Sequence, residues 1–168
     1  GLTTSTADRK QRAGQRLIIG IRGAAPTDDA RAFIRDARPG GFILFARNVE
    51  DHAQVRELNR ELAAMLPVAV PPIRCVDQEG GRVQRVKSPA TVWPPMRWVG
   101  NVGDVAYSAA VGRALAREVL ALGFDLDFAP VADVASNASN PVIGDRAFAG
   151  EPRPAARHRE MRADARHR

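Results

Sequence analysis

The sequence predicts an α/β fold built on a parallel sheet, and two patterns carry that expectation. Short strands that are apolar throughout alternate with helices whose apolar residues recur every three or four positions. Polar residues gather just past the C-terminal ends of the second, third and fourth strands, where barrels and doubly wound sheets both place their sites. No Gly-rich phosphate loop follows the first strand, which counts against a nucleotide-binding sheet.

Leu17 to Ile21 is the first strand candidate, closed by Gly23. Thr27, followed by Asp28 and Asp29, reads as a helix N-cap with acids in the first turn. Ala30, Phe33, Ile34 and Ala37 form the inward face of that helix, and Pro39-Gly40-Gly41 is its expected stop. Phe42 to Phe45 is the second strand, ending in Arg47-Asn48. Asp51 to Leu66 is a helix with Val55, Leu58, Leu62 and Met65 on one face. The third strand is Ile73 to Val76. Residues 86–103, rich in Pro, read as a long loop. Its Trp93 and Trp98 are candidates to stack on a ligand, against the commoner role of packing the loop onto the body. A helix starting at Asp104 should bury Val111, Leu115, Val119 and Leu122 and stop at Gly123. Leu126 to Val131 is the fourth strand, followed by the polar stretch SNASNPVIGDRAF, and from Glu151 onward the composition suits a helix with a thin apolar face.

Composition narrows the function classes. The 168 residues are 45% hydrophobic and 26% charged, which suits one globular domain. No apolar run approaches the ~20 residues that span a bilayer, and the polar opening GLTTSTADRKQRAGQR holds no charged-then-apolar leader. A cytoplasmic location with no membrane span is the expectation. The single cysteine, Cys75, excludes an internal disulfide and a cysteine zinc cluster, and neither a metal nor a cofactor is expected. Of the net charge of +6, residues 151–168 supply +3 from six Arg and three acids. The first 150 residues hold 19 basic and 16 acidic groups without a dominant basic run. That spread argues against a nucleic-acid partner.

The stretch with the most chemistry is IRCVDQEGGRVQR, residues 73–85. Asp77 and Glu79 sit at i and i+2, so an extended backbone points both to the same side. Gly80 and Gly81 permit backbone angles or an approach that a Cβ forbids. Arg82 and Arg85 return positive charge to the same place. Carboxylates that accept from hydroxyls, beside guanidinium groups that donate in a fixed fork, suit a polyhydroxylated ligand. The plainer reading is an exposed turn whose arginines pair with its own acids.

Four motifs in order, GGFILFARN (40–48), VDQEGGRVQRV (76–86), LDFAPVADV (126–134) and NPVIGDRAF (140–148), resemble the N-terminal barrel half of family-three glycoside hydrolases. Within that family they are most similar to bacterial β-N-acetylhexosaminidases, and the resemblance runs from Leu17 to about Arg153. It implies a (β/α)8 barrel of TIM type, of which this chain holds about the first four β/α units. It also implies retaining hydrolysis of β-N-acetylglucosaminides derived from peptidoglycan. The family's sugar-binding aspartate falls on Asp77, and its arginines fall on Arg85 and Arg146, which together hold an N-acetylglucosamine ring. Glu79 and Arg82 are expected to support the loop, and Asp127, Asp133 and Asp145 to orient loops. A reacting Asp77–Glu79 pair is the weaker alternative: neighbours on one strand do not flank a scissile bond from two sides.

The family's acid/base histidine, its nucleophilic aspartate and its KHFPGHG-type segment have no counterpart here. His158 and His167 lie in an Arg-rich tail, and no catalytic residue is assigned. The expected organisation is a polar segment over 1–16, barrel over 17–150, and a truncated or altered tail over 151–168. The chain as it stands is expected to be inactive and to self-associate through the apolar edges of LIIGIRG and LDFAPVAD. The alternative function is a non-catalytic sugar-binding module.

Overall fold

A computed structural model describes residues 5–137 and 139–158. They form two compact units. The first runs up to Val76 and takes in Leu122–Leu126; the second comprises Asp77–Ala121 and continues from Asp127.

The first unit opens with α1 (Thr6–Gly14), a helix in the stretch expected to be merely polar. Its origin is local. Asp8 N donates to Ser5 Oγ and Ser5 N donates to Asp8 Oδ2, both at 3.1 Å, which satisfies two donors at the helix end reciprocally. Then come β1 (Ile18–Ile19), α2 (Asp28–Ala37), β2 (Gly41–Leu44), α3 (His52–Ala64) and β3 (Ile73–Val76). β1 pairs parallel with β2 and β2 with β3, in a register that aligns Ile18 with Gly41 and Gly41 with Ile73.

α2 starts at the predicted cap, Ala30 N donating to Thr27 Oγ1 at 3.2 Å; in α3 Asp51, expected as the first helical residue, is instead the cap, Gln54 N donating to its Oδ1 at 2.8 Å. Ile34, Val55, Leu58 and Leu62 are buried with Phe42, Leu44, Cys75 and Val76 in this unit's core. Of the residues expected to face inward from α2, Ile34 is fully buried but Phe33 is exposed. Met65 likewise yields to Leu66. The end of α2 also differs from expectation. Arg38 itself adopts the left-handed conformation (φ 46°) and donates its N–H to Ile34 O. Gly40 and Gly41 serve close approach instead: a Cβ would stand 2.2 Å from Gln15 O at Gly40, and 2.6 Å from Ile73 O at Gly41.

The second unit begins with a hairpin that period-based reading does not reveal. β4 (Gln78–Gly80) pairs antiparallel with β5 (Val83–Gln84). The expected 86–103 loop contains a short helix, α4 (Met96–Asn101), and is followed by α5 (Val105–Ala121). Val111, Leu115, Val119 and Leu122 are all buried, and Gly123 has a φ of 84°, as the pattern predicts. Met96, Val99, Val111 and Phe148 form a buried cluster with Trp93 packed against it. The fourth strand, β6, is only Leu126–Asp127, shorter than the six residues expected. Pro130, which has no N–H to give a ladder, lies in the part that drops out. The sheet order is β1-β2-β3-β6, so the first and fourth strands are its two edges. No helix among the described residues is long and apolar enough to cross a membrane.

Candidate functional site

Residues 77–86 and 142–146 of the second unit hold the polar groups singled out above. Asp77 stands at the turn between β3 and β4, and β5 brings Arg85 back beside it. Arg85 Nη2 donates to Asp77 Oδ2 at 3.2 Å. The hairpin closes through two glycines with positive φ, 95° at Gly80 and 59° at Gly81. A Cβ on Gly80 would also lie 2.6 Å from Pro94 O, so both freedom and space require glycine there.

Two glutamines that sequence reasoning passed over hold this geometry. Gln78 is buried; its Oε1 accepts from Arg85 N (3.0 Å) and Val86 N (3.1 Å), and its Nε2 donates to Val86 O (2.7 Å). Gln84, also buried, donates to Val86 O and Thr91 O and accepts from Trp93 N. An amide offers donors and acceptors together, which a folded-back loop needs. The available signal was the pairing of two long amides with a Gly-Gly turn between them. Asp127 completes the support, accepting from Gln78 N at 3.0 Å.

Glu79 points to a different partner from Asp77. It is 3% exposed, and both its carboxylate oxygens accept from Arg146: Nε to Oε2 at 2.9 Å, Nη2 to Oε1 at 2.7 Å. That bidentate pair ties β4 to the 144–146 turn, as expected of a residue that supports the loop. The hydrogen bonds to Glu79 raise the Arg146 pKa above its already high value, with the charges of Asp77 and Asp145 adding to the effect. Arg146 Nη1 donates to Val142 O at 3.1 Å. Arg82 supports the same turn, donating to Asp145 Oδ1 (3.0 Å) and to the carbonyls of Val142 and Ile143.

Asp77, Arg85 and Arg146 thus belong to one charged cluster. Asp77 Oδ1 has no hydrogen-bond donor among the described residues. Arg146 engages three of its five N–H groups, leaving two with no acceptor among them. Trp93 Nε1 donates to Glu118 Oε2 at 2.9 Å and the ring packs into the unit, whereas Trp98 is 66% exposed. Asp133 accepts from Val134 N beside it. His158 is buried, its Nδ1 2.7 Å from Ser108 Oγ and its ring stacked on Phe148, so it is a packing residue. His167 lies outside the described residues. No group of three or more His, Cys, Asp or Glu among the described residues is placed to hold a metal ion.

Residues 10–167 match the sequence family described as the glycosyl hydrolase family 3 N terminal domain. That match begins before Leu17 and extends beyond Arg153. A β-hexosaminidase of Pseudomonas aeruginosa is 42% identical over 141 residues, covering 83% of this chain and 41% of that protein. A glycoside hydrolase family 3 β-N-acetylglucosaminidase from Paenibacillus sp. superposes with a TM-score of 0.88 at 35% identity, over 94% of this chain and 30% of that one. NagZ from Neisseria gonorrhoeae in complex with N-trifluoroacetyl-D-glucosamine superposes with a TM-score of 0.82 at 33% identity, over 90% and 46%. The fold is therefore of the (β/α) barrel type, represented in part. The chain spans about two fifths of the length of the curated relatives it matches.

Proposed function

The chain belongs to glycosyl hydrolase family 3, and on that premise we propose that it supplies part of the −1 sugar subsite of a β-N-acetylhexosaminidase. The substrate class is a β-N-acetylglucosaminide from peptidoglycan, cleaved by the whole protein in two retaining steps. A cytoplasmic site of action goes with that substrate. Asp77, Arg85 and Arg146 hold the ring hydroxyls, while Glu79, Gln78 and Arg82 fix their positions. General acid/base and nucleophile fall to residues outside the span matched here.

The observation that carries the reading is the open Oδ1 of Asp77 in one cluster with two unclaimed Arg146 N–H groups. Neighbouring hydroxyls on a pyranose ring donate and accept at once, which this arrangement complements. The sugar analogue bound by the Neisseria protein supports the choice of sugar.

The test is a chimera in which this chain replaces the matching segment of the Pseudomonas enzyme. Release of p-nitrophenol from p-nitrophenyl N-acetyl-β-glucosaminide is expected, and Asp77→Ala should lower kcat/KM by roughly 10- to 100-fold. A folded chimera that binds the sugar without turning it over would favour the non-catalytic module. Preference for a glucoside lacking the acetamido group would move the chain to another branch of the family.

A further inference from the structure

We propose that the end of the first unit formed by the N-terminal ends of its strands docks on an anionic lipid surface. The starting observation is the loop before β3. Pro67, Val68, Ala69, Val70 and Pro71 are five consecutive apolar residues, all exposed, with Val68 at 95% and Val70 at 47%. Exposed apolar residues scattered singly need no explanation, but an unbroken exposed run does.

The strand register shows what lies beside it. Gly41 aligns with Ile73 and Ile18 with Gly41, so Arg38 and Val70 each stand three residues ahead of a paired position, and Arg16 two ahead. Adjacent strands are ~4.8 Å apart, which puts the three chain entries within about two strand spacings. The C-terminal ends of α1 and α2 meet at the same end: Gly14 abuts the Ala37 carbonyl, and Gln15 Nε2 donates to Arg38 O at 2.9 Å. Those last turns contribute Arg12 and Arg35.

The charge there is not neutralised within the unit. Asp36 pairs with Lys10, Glu61 with Arg31, Glu57 with Arg60 and Asp125 with Arg74, whereas Arg16, Arg35 and Arg38 make no ion pair among the described residues. Arg12 makes no ion pair among the described residues and acts on Asp8 of its own helix only through its charge. An exposed apolar loop at the same end of the sheet as exposed guanidinium groups matches a phospholipid surface on both counts: the valines enter the acyl boundary and the arginines meet phosphate. A nucleic acid would satisfy the arginines and leave the exposed valines without a role.

The experiment is co-sedimentation of the 168-residue chain with phosphatidylcholine vesicles and with vesicles containing about one third phosphatidylglycerol. Binding is expected only to the anionic vesicles, weakening as salt rises. Arg16→Gln and Arg38→Gln should each lower partitioning by about fivefold. Val68→Asp with Val70→Asp, at exposed positions and with circular dichroism confirming an unchanged fold, should lower it by about tenfold or more. Three results would each overturn the proposal: no pelleting with anionic vesicles, binding indifferent to the valine changes, or equal affinity for duplex DNA.

Discussion

Replacing Glu79 with alanine removes a carboxylate that accepts two hydrogen bonds from Arg146, at 2.9 and 2.7 Å. Hydrogen bonds to charged groups contribute roughly 1.5–3 kcal/mol. Stripping one member of a buried ion pair costs roughly 3–5 kcal/mol, because the other charge is stranded. The Arg146 side chain is 24% exposed against 4% for Glu79, so water recovers part of that loss. A cost of about 2–3 kcal/mol is the expectation for Glu79→Ala. The nearby Arg82–Asp145 pair is the internal control. Its members are 46% and 43% exposed, and Asp145→Ala should cost no more than about 1 kcal/mol. Glu79→Gln should recover little, since its amide presents an N–H to a guanidinium N–H. The assay is urea unfolding followed by tryptophan fluorescence, since Trp93 and Trp98 both belong to the second unit. The Glu79→Ala midpoint should fall with the slope unchanged. Equal midpoints for Glu79→Ala and Asp145→Ala would refute the argument that burial makes the first pair the stronger.

Gly100→Ala should destabilise the second unit by about 1–3 kcal/mol, because its Cβ would stand 2.1 Å from the Phe148 carbonyl; a thermal melt reads this directly. Gly103→Ala, with open space but a φ of 72°, should lose only about 1 kcal/mol. At Asp125, partial burial pushes the carboxyl pKa up, but the side-chain and backbone hydrogen bonds from Arg74 outweigh it and the net shift is downward. Asp125 therefore contributes stability that is fully present above its ordinary value of 3.8 and is lost as pH falls through the depressed one; in Asp125→Asn that acid-side dependence should flatten in pH-dependent unfolding. The 168-residue chain should self-associate in sedimentation, because β1 and β6 are the sheet edges and Leu17, Ile18, Leu126 and Phe128 stand exposed along them; a monodisperse monomer would count against this.

What the sequence disclosed was mostly local. Thr27 caps its helix through an atom three residues away, so a four-residue window suffices to find it. The Val111, Leu115, Val119 and Leu122 stripe was legible because one helix period sorts a buried face from a solvated one. α1 escaped although Ser5 and Asp8 spell its cap, since its residues have no apolar stripe to draw attention. Phe33 misled because a three-and-four spacing admits both Phe33 and Ile34 to one face, whereas the rotation of α2 buries Ile34 alone of the two. The β4–β5 hairpin was illegible for a physical reason: strands of three and two residues show no period, and their pairing is supported by the Gln78 side chain reaching across the turn to Arg85 and Val86, with Gln84 bonded to the chain beyond. In the candidate site, the Asp77 and Arg85 neighbourhood could be read from the spacing of one motif. Arg146 stands 67 positions from Glu79; resemblance assigned it to the sugar site, but neither that nor any spacing rule foretells its contact with Glu79.

The central claim is that Asp77, Arg85 and Arg146 form a sugar-binding cluster, and titration of N-acetylglucosamine into the isotope-labelled chain tests it most directly. The account predicts saturable millimolar amide shifts confined to residues 77–86 and 142–146, abolished by Asp77→Ala and weakened by Arg85→Lys, whose ammonium cannot reproduce the guanidinium fork. Shifts that are absent at millimolar sugar, or that persist undiminished in Asp77→Ala, would contradict it.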